Sequence, residues 1–126
     1  MSPFDRRPAV WIGHVALPTD RMLESAQFMH RIGMRSIFEG PQVSIFEMRG
    51  GTHLILQAKS GIEAGDAPFD LMVDDIHDTH RRFTTMGLSP SPIEAVPAID
   101  HERFRVREPA GHWITVYSTH VGSEPV

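Results

Sequence analysis

The feature of this sequence that most constrains its fold is that it is written twice. Trp11 to Leu17 reads as a strand, and Asp20 suits a helix N-cap. Met22, Leu23, Ala26, Met29 and Ile32 recur at helical spacing, and Gly33 stands where a left-handed residue ends a helix. Ser36 to Glu39, Val43 to Arg49 and Thr52 to Ala58 follow as short strands, parted by Gly40-Pro41 and Gly50-Gly51. The pattern then restarts. Phe69 to Val73 reads as a strand, and Asp74 or Asp75 caps a helix carrying Ile76, Thr79, Phe83 and Met86. Gly87 closes that helix, and strands follow at Ile93 to Val96, Arg103 to Arg107 and Trp113 to Tyr117. Leu17 and Leu71, Asp20 and Asp74, and Gly33 and Gly87 are each 54 positions apart; Gly51 and Gly111 are 60 apart. A unit this short cannot bury a core alone, so two copies must pack together or against a second chain. The expectation is one α+β domain, residues 1–126, built from two βαβββ modules at 9–60 and 66–120.

Composition removes several classes of function. The formal charge is −4, which argues against a nucleic-acid surface. There is no cysteine, so disulfides, thiolate metal sites and a cysteine nucleophile are excluded. No window approaches the run of about 18 apolar residues that a membrane helix needs. Met1 to Pro8 has no apolar run and does not read as a signal peptide. A cytoplasmic protein is the simplest expectation, with loosely held ends at Met1 to Pro8 and Gly122 to Val126. No phosphate-binding glycine loop, Gly-x-Ser-x-Gly elbow or His-Glu-x-x-His motif is present.

Three stretches resemble the vicinal oxygen chelate superfamily, which includes lactoylglutathione lyases, extradiol dioxygenases and bleomycin-resistance proteins. The first is Ile12-Gly13-His14-Val15-Ala16-Leu17, leading through Asp20 to Ser25-Ala26-Gln27-Phe28 and Ile32-Gly33-Met34. The second is Phe69 to Ile76 with its closing Gly87, and the third is Arg107-Glu108-Pro109-Ala110-Gly111-His112. The resemblance implies mixed sheets curled around a concave cup, a small-molecule ligand and a homodimer. It does not choose among activities, because one scaffold of this kind hosts several chemistries.

The resemblance places His14 on the concave side, and strand alternation then assigns its neighbours. Val15, Leu17, Leu54, Leu56, Phe69, Leu71, Val73, Ile114 and Val116 should face the helices, and all are apolar. The opposite side should carry Ile12, His14 and Ala16; His53, Ile55 and Gln57; Asp70 and Met72; and Trp113, Thr115 and Tyr117. That mixture of aromatic, aliphatic and hydrogen-bonding groups either lines a ligand cup or packs against a partner subunit. The candidate ligand-binding residues are therefore His14, His53, Ile55, Gln57, Met72, Trp113, Thr115 and Tyr117. His14 is also the candidate catalytic residue, as a general base or polar anchor; otherwise it bonds a neighbouring strand.

In metal-using relatives, four strand positions supply the ligands, and the repeat maps them here to His14, Ile55, Pro68 and Thr115. Only histidine among these binds a transition metal well, so no metal cofactor is expected. The alternative is Fe, Mn, Ni or Zn on displaced ligands, with His14, His53 and Glu47 as one set and His112 as a further donor. His77 and His80 are spaced to share a metal on the second helix, but read more simply as a solvated face. Arg103, Arg105 and Arg107 alternate with Phe104 and Val106. They read as charges on an exposed strand that discourage edge pairing, with an oxyanion clamp as the other possibility. The expected function is binding of a small organic molecule without a conventional metal. A glyoxalase-like lyase, an isomerase or an extradiol dioxygenase-like enzyme is the alternative.

Overall fold

The computed structural model describes residues 4–119 and 124–126. Each half of the chain forms one four-stranded mixed sheet with one helix. The first contains β1 (His14–Thr19), α1 (Met22–Arg31), β2 (Arg35–Glu39), β3 (Val43–Glu47) and β4 (His53–Ala58), in the sheet order β1-β4-β3-β2. The second contains β5 (Leu71–Val73), α2 (Ile76–Thr85), β6 (Glu94–Val96), β7 (His101–Arg107) and β8 (Trp113–Ser118), in the order β5-β8-β7-β6. The first strand of each module runs parallel to its last, and the other pairings are antiparallel. The order is the same in both halves, as a duplicated unit requires.

The repeat holds at the level of single pairs. Leu17 lies opposite Leu56 in the first sheet, and Leu71 opposite Val116 in the second. These are the same two positions under the offsets read from the sequence. Gly33 and Gly87 follow their helices at φ 120° and 80°, a region where an L side chain is strained.

One face of each sheet packs on its helix. Leu17, Leu54, Leu56, Phe46, Phe104, Val106, Ile114 and Val116 are fully or almost fully buried there. Each such side chain removed from water is worth about 1.5–3 kcal/mol. Phe28 and Met29 from α1, and Ile76 and Phe83 from α2, close the same continuous core.

Some local expectations are corrected. Arg21, not Asp20, stands at the N-cap of α1, and no side chain caps it. The Thr19 hydroxyl instead accepts the Arg21 backbone N–H at 2.9 Å. Leu23, expected on the buried stripe, is exposed, while Ser25 and Phe28 are buried. At α2 the cap is Asp75, which accepts the Asp78 N–H at 3.0 Å. Residues 11–13 precede β1, and β5 begins only at Leu71.

A buried polar chain joins the modules. The Arg21 N–H donates to Thr19 Oγ1, which lies 2.7 Å from Ser25 Oγ, and that hydroxyl donates to Glu108 Oε2 at 2.9 Å. Glu108 Oε1 accepts the His112 N–H at 3.2 Å, and His112 Nε2 donates to the Pro18 carbonyl at 2.8 Å. The turn before β8 is thereby fastened to the end of β1 and the start of α1. At the chain ends, Arg6 pairs with Glu124 at 2.6 Å. Residues 1–3 and 120–123, on which part of the expectation of loose ends falls, lie outside the described residues.

Candidate functional site

The second face of each sheet is open, and its composition follows from strand register. On β8, Trp113, Thr115 and Tyr117 point away from the core while Ile114 and Val116 point into it. Together with Asp66, Pro68 and Asp70 they line a pocket of about 270 Å³. An isolated bridge between Asp66 and Trp113 holds the chain entering β5 along this strand. Met72 lies opposite Tyr117 and is exposed beside the pocket.

The antiparallel register of β7 and β8 sets Arg103 opposite Tyr117, Arg105 opposite Thr115 and Arg107 opposite Trp113. All three arginines therefore share the open face with the aromatic residues. β6 flanks β7 only along His101–Arg103, so the edge-protecting role expected of these charges does not apply to Arg103, while Arg105 and Arg107 lie beyond the paired stretch. The parity follows from the turn through Glu108 and His112, whose backbones are paired at 2.9 Å. The Arg105 and Arg107 guanidinium carbons lie 4.9 and 5.3 Å from the Trp113 ring centroid. Arg103 bonds Glu94 at 2.7 Å and approaches the Tyr117 hydroxyl at 3.5 Å; Arg105 pairs with Asp66.

On the first sheet the open face carries His14 and Ala16 on β1, His53, Ile55 and Gln57 on β4, and Glu47 on β3. His14 lies directly opposite His53, and His53 opposite Glu47. The two imidazoles stack at 5.8 Å between centroids, and His53 Nε2 lies 3.3 Å from Glu47 Oε2. The other carboxylate oxygen of Glu47 bonds the Arg35 guanidinium. Arg35 holds the Glu47 carboxyl below the usual glutamate range against the opposing effect of desolvation, and His53 adds a lesser push in the same direction as Arg35. The first-sheet residues His14, His53, Ile55 and Gln57 are not among those lining the Trp113 pocket.

These side chains do not fit a conventional metal site. Ile55 and Pro68 have no donor atom, and Thr115 offers only a neutral hydroxyl. His14, His53 and Glu47 do come together, but stacked imidazoles set their nitrogens side by side, and Arg35 already occupies the carboxylate. Among the described residues no three His, Asp or Glu side chains are grouped to hold an ion. His112 is buried under the core and spent on the Pro18 carbonyl. His77 meets Glu102 at 3.3 Å, whereas His80 turns to the Ser91 carbonyl and the edge of Phe104. No described helix is long and apolar enough to cross a membrane.

Comparison with known proteins agrees with this architecture. A family model described as Glyoxalase/Bleomycin resistance protein/Dioxygenase superfamily matches residues 11–116. No curated protein matches significantly. The chain superposes on a lactoylglutathione lyase from Agrobacterium tumefaciens at 19% identity and a TM-score of 0.74, covering 89% of this chain and 96% of that one. It superposes on the bleomycin resistance determinant encoded on the transposon Tn5 at 17% identity and a TM-score of 0.72, covering 89% and 100%. A bleomycin-binding protein complexed with bleomycin gives 17% identity and a TM-score of 0.70, again covering 89% and 100%. At these identities the likeness establishes the fold and leaves the chemistry to the side chains.

Proposed function

This chain belongs to the Glyoxalase/Bleomycin resistance protein/Dioxygenase superfamily, and on that premise we propose that it binds a small, partly aromatic organic molecule without a catalytic metal. The observation that carries this reading is the pocket of about 270 Å³ along β8, floored by Trp113, Thr115 and Tyr117. At just under the usual size of a small-molecule site, it admits only a compact ligand. Trp113 and Tyr117 supply flat apolar surface, and Thr115 supplies a hydroxyl.

A second copy of the chain completes the cup. Val10, Trp11 and Ile12, just before β1, are 82%, 69% and 63% exposed, and Met72 beside the pocket is 53% exposed. Exposed apolar side chains of that kind favour a partner. In a homodimer the His14, His53, Ile55 and Gln57 face of one protomer can oppose the Trp113 face of the other. A bleomycin-binding protein solved in complex with bleomycin, similar in fold, supports a binding reading. A cytoplasmic location is part of the same proposal.

A second reading rests on the approach of His14, His53 and Glu47. It is a lyase, isomerase or dioxygenase whose metal uses displaced ligands. Metal analysis of protein purified without a histidine tag, followed by thermal shifts with Ni, Mn, Fe and Zn, separates the two. The expected outcome is no stoichiometric metal and no metal-dependent shift. A tightly bound ion at one per chain, lost in His14→Ala, would overturn the first reading.

A further inference from the structure

We propose that the β7 side of the Trp113 face is an oxyanion-binding subsite, so that the ligand is an aromatic molecule bearing a carboxylate-like group. This deepens the small-molecule reading above and rests on it. Three cations share one face because the register forces Arg103, Arg105 and Arg107 beside Tyr117, Thr115 and Trp113. Two of them are committed: Arg103 to Glu94, and Arg105 to Asp66. Arg107 has no carboxylate partner among the described residues, and its Nε donates only to the Gly111 carbonyl at 3.3 Å. It is exposed, and its guanidinium carbon sits 5.3 Å from the Trp113 ring that already has Arg105 at 4.9 Å.

Asp66 already compensates Arg105, so Arg107 is the cation at this ring left without a counter-charge among the described residues. A planar oxyanion received by the Arg107 fork supplies that counter-charge, with the attached aromatic body on Trp113. Asp70 lines the pocket from the opposite side of β8, so an anion is steered towards β7. The scaffold does not demand this charge. At the corresponding places in the first sheet, opposite His53, Ile55 and Gln57, stand Glu47, Ile45 and Val43. One duplicated unit thus carries an acid and two aliphatic residues where the other carries three arginines.

The test is calorimetric titration of the full, tag-free chain with 2-naphthoate and with the isosteric neutral 2-naphthamide. Naphthoate should bind about ten-fold tighter or more, as charge-assisted hydrogen bonds imply. Arg107→Gln should bring the ratio of naphthoate to naphthamide affinity close to one, and Arg105→Gln should lower it less, because Asp66 already holds Arg105. A thermal melt of each variant checks that it is folded. Equal binding of the two probes overturns the anion subsite and leaves the aromatic pocket standing. Naphthoate binding indifferent to both substitutions overturns the placement on β7. Failure of both probes to bind at millimolar concentration overturns the small-molecule reading, and the subsite with it.

Discussion

At the scale of single residues, the first sheet turns on Glu47. Its carboxylate is held by Arg35 on one oxygen and faces His53 on the other. Its depressed pKa means that the folded state favours the ionised form, chiefly through Arg35. The sign follows by linkage: the contribution to stability is present above the unfolded glutamate value and is lost as pH falls through the lower folded value. Carbon-detected NMR titration should place the Glu47 carboxyl below the usual glutamate range, and Arg35→Gln should return it towards that range. An unchanged Glu47 titration in Arg35→Gln would show that the ion pair does not persist in solution. The carboxylate that faces His53 is thus already paired with a cation.

At the scale of elements, the joint between the modules is the hydrogen-bond chain through Thr19, Ser25 and Glu108. Ser25→Ala removes the donor to Glu108 Oε2 and leaves a buried carboxylate oxygen short of a partner. That should destabilise the protein by about 1–3 kcal/mol in urea unfolding, with the two modules still melting together. A loss within experimental error would mean that the joint is carried by apolar packing alone. The elements themselves were largely legible in the sequence. Leu17, Leu54, Leu56, Ile114 and Val116 alternate cleanly, because a helix-packed sheet face tolerates only apolar residues. The joint was not legible. Ser25 lies 83 positions from Glu108 in the chain, and nothing local marks a glutamate as buried. Leu23 misled for the opposite reason: a leucine at helical spacing can be left exposed without cost to the core.

At the scale of the molecule, the duplication explains both the stability of the scaffold and the asymmetry of its open faces. Each module supplies the same sheet order, yet one open face gathers imidazoles and a carboxylate and the other gathers arginines, tryptophan and tyrosine. Trp113, Thr115 and Tyr117 could be placed on one face from alternation alone. Arg103, Arg105 and Arg107 could not, because the turn between β7 and β8 had to be known before their parity was fixed. If the faces meet across a two-fold, light scattering at micromolar concentration should give twice the 14.2 kDa chain mass. Trp11→Glu should shift that mass towards one chain, and a single-chain mass for the unsubstituted protein at every concentration would rule the dimer out.

The most direct test of metal-free binding at Trp113 is the proton–nitrogen NMR signal of the Trp113 indole during titration with 2-naphthoate, in tag-free protein with and without EDTA. The expected result is one saturable displacement of that signal, identical in both conditions. Binding abolished by EDTA and restored by one equivalent of Ni or Zn would contradict the account.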